Sequence, residues 1–217
     1  VSQKGWESAD YAVLARGDLY PDALSAGPLA YKYNAPILLT ESNKLNNDTL
    51  NELKRLGVKH VIVVGGTTAI SEAVVSALKN EGIAVERIAG NNSFDTALEI
   101  AKKLGGSSEI VLATGENFPD ALSVSAIAAK LGMPILLTGK DRLPENVKAY
   151  LQANNVSRIY VIGGPNVISA AVEKAVPNPV RLAGDDRYGT NTAVLQHFAA
   201  ELNYSTVYVA QGEEFPD

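Results

Sequence analysis

The sequence has no cysteine and very little histidine. Its 217 residues include two histidines, one methionine and one tryptophan. Without cysteine the chain can form no disulfide, no thiolate nucleophile and no cysteine-ligated zinc site. The two histidines, His60 and His197, lie far apart in the sequence and in no metal-binding pattern, whereas a zinc hydrolase needs clustered histidine and carboxylate ligands. We therefore expect no metal site and no histidine-based active site.

Long apolar runs and an excess of basic residues are also missing. The longest apolar stretches have the length of a strand, which is too short to cross a bilayer. The net charge of -5 argues against a general nucleic-acid-binding protein, which usually carries a basic excess. Hydrophobic residues make up 46% of the chain, enough for a globular core. Neither nucleic acid nor a membrane is an expected partner.

Two further motifs are absent, and a third is incomplete. The chain contains neither the P-loop pattern nor the G-x-S-x-G pattern of nucleophile-elbow hydrolases. Glycine pairs do follow two apolar segments, at Gly65-Gly66 and Gly163-Gly164, but the third glycine of a dinucleotide-binding fingerprint is missing. A tight turn from strand to helix explains them as well. The motifs therefore indicate no catalytic residue and no cofactor.

What the sequence does contain is a long repeat. Asp22 recurs as Asp120, 98 positions later, and several separate blocks share this spacing. The blocks are "ARGDLYPDALS" (15–25) and "ATGENFPDALS" (113–123), "APILLT" (35–40) and "MPILLT" (133–138), and "VVGG" (63–66) and "VIGG" (161–164). This period is the size of a small domain. We predict a first repeat at 1–88, a second at 89–182 and the start of a third at 183–217, so the chain is expected to be a fragment of a longer polypeptide.

Within one repeat, apolar segments alternate with helical patterns. The second repeat predicts strands at 109–114, 134–138, 158–163 and 179–184 and helices at 119–132, 144–155, 167–176 and 190–202, before a new strand at 206–210. Continuous apolar strands between helices are typical of a parallel sheet covered on both faces. The predicted fold class is α/β, with tandem Rossmann-like domains, each a parallel three- to four-stranded sheet with helices on both faces. We expect residues 37–39 and 135–137 in the core.

The phrase "PDA" predicts a helix start. Proline suits the first helical position, and an aspartate in the first turn complements the helix dipole. Contact with a ligand is the alternative for the aspartate. The proline and aspartate occur together three times, as Pro21 and Asp22, Pro119 and Asp120, and Pro216 and Asp217.

Polar groups recur where the predicted strands end, which is the edge at which open parallel sheets bind ligands. These groups are Arg16, Thr40, Thr114, Thr138 and the two glycine pairs. The loop after each "ILLT" is basic, with Lys44 in the first repeat and Lys140 and Arg142 in the second. Such groups can hold an anion. A solvated loop with incidental charge is the other interpretation.

Taken together, "RLAGDDRYGT" (181–190), "ATGENFPDALS", "PILLT" and "VIGG…IS" resemble the cell wall binding repeat type 2 family over essentially the whole chain. The resemblance implies a Rossmann-like fold for each repeat and a pseudo-threefold arrangement of three repeats. It also implies a secreted protein, located at the Gram-positive cell wall and anchored without covalent bonds.

The implied partner is an anionic cell wall polysaccharide or teichoic-acid-like polymer, with S-layer proteins as a further partner. A catalytic domain, such as an N-acetylmuramoyl-L-alanine amidase, would lie outside this chain, and a purely structural S-layer spacer is the alternative. Arg187 of the family's D-R-Y motif is expected to contact the polymer. The previous repeat has Asn92, Ser93 and Phe94 at these positions, so we expect the two repeats to bind unequally.

Overall fold

A computed structural model describes residues 1–214, which contain two four-stranded parallel sheets. The first sheet consists of β1 (Tyr11–Arg16), β2 (Ile37–Thr40), β3 (His60–Val64) and β4 (Ala84–Ile88). The second consists of β5 (Glu109–Thr114), β6 (Ile135–Thr138), β7 (Arg158–Ile162) and β8 (Pro179–Leu182). The strand orders, β2-β1-β3-β4 and β6-β5-β7-β8, are equivalent. The predicted α/β class with two Rossmann-like repeats is confirmed.

Nine α-helices and a short 3-10 helix connect and cover the strands in the described part of the chain. Three of the helices have side-chain caps, in which Asn46, Asn92 or Asp186 accepts a hydrogen bond from a backbone amide two or three residues later. The cap at Asp186 starts its helix at Arg187, three residues before the helix predicted at 190–202. The helices are α1 (Ser2–Gly5), α2 (Ala26–Lys32), α3 (Asn47–Leu56), α4 (Glu72–Asn80), α5 (Ser93–Leu104), α6 (Pro119–Leu131), α7 (Glu145–Ala153), α8 (Ala170–Lys174) and α9 (Arg187–His197), followed by the 3-10 turn Ala199–Glu201.

Helix α5 joins the two sheets into one structure. Its Ile100 is buried in the apolar cluster beneath the first sheet, together with residues of α2. Its Leu98 and Ala101 are buried in a cluster of the second sheet, together with residues of α7 and α8. Helix α5 therefore belongs to the hydrophobic cores of both repeats.

The two "ILLT" strands differ in burial. Helix α5 packs against β6, and all four residues of that strand are buried. The segment before β1 contains only the four-residue α1, and Ile37 in β2 is 39% exposed while Leu39 is partly buried. The expectation of a core position is therefore wrong for Ile37, because the first repeat has no counterpart of α5 over its edge strand within residues 1–214.

The helix start predicted from "PDA" differs between the repeats. Helix α6 begins at Pro119 with Asp120 in its first turn. In the first repeat, residues 21–25 form turns and α2 begins only at Ala26, so the predicted helix start at Pro21 and Asp22 is wrong. The reason lies in Pro28, which has no amide hydrogen and is tolerated within a helix only in its first turn.

One predicted strand is not formed. Residues 206–210 have no regular structure, and Val209 is 94% exposed. A strand needs neighbours that satisfy its backbone amides and carbonyls, and within residues 1–214 no other strand lies beside this segment. The helix start predicted at Pro216 and Asp217 lies outside the described residues.

Candidate functional site

The repeated "PDALS" phrase lies where successive repeats meet. Helix α2 packs on α6, and α6 packs on α9. The rings of Tyr20 and Phe118, which occupy equivalent positions, meet edge to face with centroids 5.6 Å apart. The Tyr20 hydroxyl also donates to the backbone carbonyl of Glu116 at 3.1 Å. This repeated motif therefore forms the contact between successive repeats, which is here called a joint.

At each joint a carboxylate lies against the first glycine of a glycine pair. A Cβ atom added to Gly163 would lie 2.5 Å from Asp120 Oδ2, and one added to Gly65 would lie 2.6 Å from Asp22 Oδ2. Both glycines have left-handed backbone angles, with φ of 109° and 104°. Gly65 and Gly163 are thus buried parts of the joint, while Gly66 and Gly164 have open space around them.

Burial changes the acidity of both aspartates. Burial raises the pKa of Asp22 above 3.8, although the nearby Thr96 hydroxyl lowers it. Burial likewise raises the pKa of Asp120, against the opposing effects of the Arg187 charge and the Thr190 hydroxyl. In the joint between the first and second repeats, Ser93 occupies the position that Arg187 has in the next joint, so Asp22 has no equivalent cation. Ionisation of Asp22 therefore lowers the free energy of unfolding.

We expect the Asp22→Asn variant to gain stability relative to the parent as the pH rises. Well below pH 3.8 the aspartate is protonated in both the folded and unfolded chains, and the penalty for charging it grows as the pH rises from the unfolded-state pKa to the raised folded-state pKa. Urea unfolding of both proteins from pH 3 to pH 7 measures the difference. Asp18→Asn is the control of opposite sign, because the Arg16 hydrogen bond lowers the pKa of Asp18. The same pH dependence of the free energy of unfolding in the parent and in Asp22→Asn would contradict this prediction.

The three threonines expected at the binding edge are buried. Thr40, Thr114 and Thr138 are at most 4% exposed. The Thr40 hydroxyl donates to the carbonyl of Lys44 at 3.0 Å, and that of Thr138 lies 3.3 Å from the carbonyl of Arg142. Their hydroxyls therefore help to fix the shape of the following loops, and the threonines are not exposed at the binding edge that the sequence predicts.

The basic side chains occupy different environments. Lys44, Lys140 and Arg142 are exposed and form no ion pair within the described residues. Arg16 instead binds the carboxylate of Asp18 through two hydrogen bonds of 2.5 and 2.7 Å. The Arg187 guanidinium donates to the carbonyl of Gly212 and lies 5.9 Å from the Phe118 ring centre. Lys44, Lys140 and Arg142 are thus the most available cations of the predicted set.

Three carboxylates lie beside this basic loop. An open cleft, here called the edge cleft, is formed by the start of α5, the loops after β5 and β6, and the start of α7. Its charged lining consists of Arg142 and of three carboxylates, Asp95, Glu116 and Glu145. Glu116 also accepts a hydrogen bond of 3.3 Å from the backbone amide of Lys140. Because Asp95 comes from a distant helix, only the fold shows that this edge is partly acidic.

The histidines serve in packing. His60 stacks on Tyr11 with ring centroids 4.7 Å apart, and His197 meets Tyr160 edge to face at 5.4 Å. In residues 1–214, no cluster of three or more histidine or carboxylate side chains is arranged to hold a metal ion. No helix in the same range is long and apolar enough to cross a membrane.

Comparison with known proteins gives a family match on both repeats. The model of the family described as cell wall binding domain 2 matches residues 1–75 and 87–173. The N-acetylmuramoyl-L-alanine amidase LytC of Bacillus subtilis is 40% identical over 217 residues, which are all of this chain and 43% of that protein. The amidase enhancer of Bacillus subtilis is 31% identical over 220 residues, covering all of this chain and 30% of that protein. The chain thus spans less than half the length of these relatives.

Two solved structures share the fold. Cwp6 from Clostridium difficile superposes with a TM-score of 0.87 at 32% identity, over 92% of this chain and 33% of the other. Cwp8 from Clostridium difficile has a TM-score of 0.83 at 31% identity, over 91% of this chain and 35% of the other. The similarity extends across both repeats and the joint between them.

Proposed function

We propose that this chain, which belongs to the cell wall binding domain 2 family, anchors a surface protein to the Gram-positive cell wall by binding an anionic secondary wall polymer without covalent bonds. The observation that carries the proposal is the family match on both repeats. The exposed cations Lys44, Lys140 and Arg142 at equivalent sheet edges support an anionic ligand. A teichoic-acid-like polymer has the required charge.

The chain contributes binding, and catalysis belongs to another part of the polypeptide. Similarity to an amidase and to an amidase enhancer, each much longer than this chain, supports a secreted wall protein whose catalytic domain lies outside it. We propose the cell surface as its location and S-layer proteins as further partners. The wall polymer remains the principal ligand.

Tandem repeats suit a ligand that each repeat binds weakly. An exposed ion pair contributes about 0–1 kcal/mol because water and salt screen it. Two linked repeats on one polymer gain from effective concentration, since the second contact is intramolecular. The unequal cations of the two repeats, one lysine in the first loop and a lysine with an arginine in the second, make the second repeat the stronger contributor.

Sedimentation with purified cell walls tests the proposal. The chain should sediment with intact Gram-positive walls and remain in solution with walls from which the anionic polymer has been removed by acid extraction. Raised salt should weaken the binding, because the contacts are electrostatic. Equal binding to intact and extracted walls would refute the anionic polymer as ligand, and no binding to either would refute the anchoring role.

The double variant Lys140→Ala with Arg142→Ala should bind walls about three- to tenfold more weakly and with a flatter salt dependence. Both side chains are exposed loop residues, so the melting temperature should change little. Lys79→Ala with Lys174→Ala is the matched control, because it removes the same charge from the ends of α4 and α8. These helix ends face the opposite edge of the sheets. Equal losses in the two double variants would show that net charge alone matters.

A further inference from the structure

The edge cleft has a lining that does not suit a polyanion. Three carboxylates and one guanidinium line it, and the carboxylate of Glu116 also reaches the backbone of the basic loop. A phosphate or carboxylate group inside the cleft would be repelled by this lining. Lys140, a cation that can attract an anionic polymer, lies outside the cleft on the exposed loop, whereas Arg142 belongs to the cleft lining. The exposed loop therefore suits an anionic group, and the edge cleft suits a neutral group.

An aromatic ring forms one wall of the cleft. Phe94, in the first turn of α5, lies over Gly115 so closely that a Cβ on that glycine would be 2.8 Å from the ring. The same arrangement recurs at the next joint, where a Cβ on Gly212 would be 2.9 Å from the ring of Tyr188. Tyr188 is 54% exposed. The contact between an aromatic ring and a strand-end glycine is thus a repeated feature.

A carboxylate accompanies the ring at both joints. Glu116 follows Gly115 and lines the edge cleft beside Phe94. Glu213 follows Gly212, and its carboxylate lies 3.5 Å from the Tyr188 hydroxyl. The first repeat differs, since Leu39 lies against Gly17 and no aromatic residue lines the equivalent cleft.

An aromatic ring beside carboxylates and amides is the chemistry that recognises a sugar ring. The apolar C–H face of a pyranose packs on an aromatic face, while its hydroxyls donate to carboxylates in charge-assisted hydrogen bonds. The edge cleft offers the accessible part of the half-buried Phe94 ring for the first contact, and Glu116 and Glu145 for the second. The amide of Asn146, held by a 2.6 Å hydrogen bond to Asp95, completes the polar lining.

We propose that the edge cleft binds an uncharged pyranose residue of the wall polymer, while the anionic groups of the polymer lie outside it on exposed loop cations such as Lys140. This inference rests on the proposed function and assigns different parts of the polymer to different parts of the surface. Charge on the loop attracts the polymer, and the cleft selects the sugar. The first repeat, which lacks the ring, contributes charge alone.

Chemical shift mapping tests the inference on the full chain. Methyl glucoside and N-acetylglucosamine, each at millimolar concentration, should shift the backbone amides of Phe94, Glu116 and Gly139. Inorganic phosphate should shift Lys140, which lies outside the cleft, and leave Phe94 unchanged. Sugar-induced shifts that lie elsewhere or are absent, or phosphate shifts centred on Phe94, would overturn the inference. Wall sedimentation of the same sample separates this failure from that of the anchoring role, because binding to walls can persist without a sugar site.

Variants at the cleft provide the second measurement. Glu116→Gln keeps the shape of the side chain and should weaken sugar binding about tenfold, as expected for loss of a charge-assisted hydrogen bond. Phe94→Leu should abolish the sugar-induced shifts, and Phe94→Tyr, which matches Tyr188, should retain them. Asp18→Asn makes the equivalent change in the first repeat and should have no effect. Unchanged sugar binding in both Glu116→Gln and Phe94→Leu would also overturn the inference.

Discussion

Replacement of Gly90 by alanine should destabilise the chain by about 3 kcal/mol, because a side chain at this position has no room. A Cβ atom on Gly90 would lie 2.2 Å from Asp95 Cβ, 2.5 Å from the Asp95 carbonyl carbon and 2.7 Å from the Thr96 nitrogen. Two of these three atoms are backbone atoms in the first turn of α5, which cannot move without displacing the helix. Equilibrium unfolding in urea measures the loss.

The control for this variant is Gly66→Ala. Gly66 also follows a strand, but a Cβ there would meet no atom within 4 Å, and its φ is not in the left-handed region. We expect a change in the free energy of unfolding of less than about 1 kcal/mol at that position. Equal effects of the two substitutions would show that the close approach of Gly90 to α5 does not govern stability.

The same close approach explains why "RIAG" (87–90), where the first repeat ends, recurs as "RLAG" (181–184), where the second ends. Gly184 stands against the start of α9 as Gly90 stands against α5, and a Cβ there would lie 2.3 Å from the Gly189 carbonyl carbon. The amides of both glycines donate to a threonine hydroxyl in the following helix, Thr96 or Thr190, at 3.2 Å. This block therefore fixes the turn by which the chain passes from one repeat to the next.

Local patterns in the sequence were sufficient to predict the elements of the second repeat. The strand 109–114 and the helix starting at Pro119 coincide with β5 and α6, because continuous apolar residues and an N-terminal proline are signals that neighbouring residues carry. The same phrase misled in the first repeat, where Pro28 delays the helix. The signal for this late helix start is also local, because Pro28 follows Pro21 by only seven positions in the sequence.

The composition of the site depended on the fold and was only partly predictable. The cations Lys140 and Arg142 were visible as a basic loop after "ILLT". Asp95 and Phe94 precede that loop by more than 40 positions and reach it only because α5 crosses the edge of the second sheet. The division of the chain at 88 and 182 remains a prediction, since α5 shares the cores of both repeats.

The Gly163→Ala variant should lose about 3 kcal/mol of stability for two separate reasons. An L-residue at a φ of 109° is strained, which costs roughly 1–2 kcal/mol. The new methyl group would also meet the buried Asp120 carboxylate, whose Oδ2 lies 2.5 Å from the Cβ position. Displacing this carboxylate disturbs the joint between α6 and α9. Urea unfolding of the variant measures the sum of both effects.

A double-mutant cycle with Asp120→Ala separates the two causes. Removal of the carboxylate leaves space for the methyl group, so Gly163→Ala should cost only the backbone strain, roughly 1–2 kcal/mol, in the Asp120→Ala background. The coupling between the two substitutions should therefore be about 1 kcal/mol or more. Additive effects, within about 0.5 kcal/mol, would show that the carboxylate and the glycine do not constrain each other. Coupling would instead identify the aspartate of the repeated phrase as part of the packing of the joint, which explains why it recurs with the glycine pair.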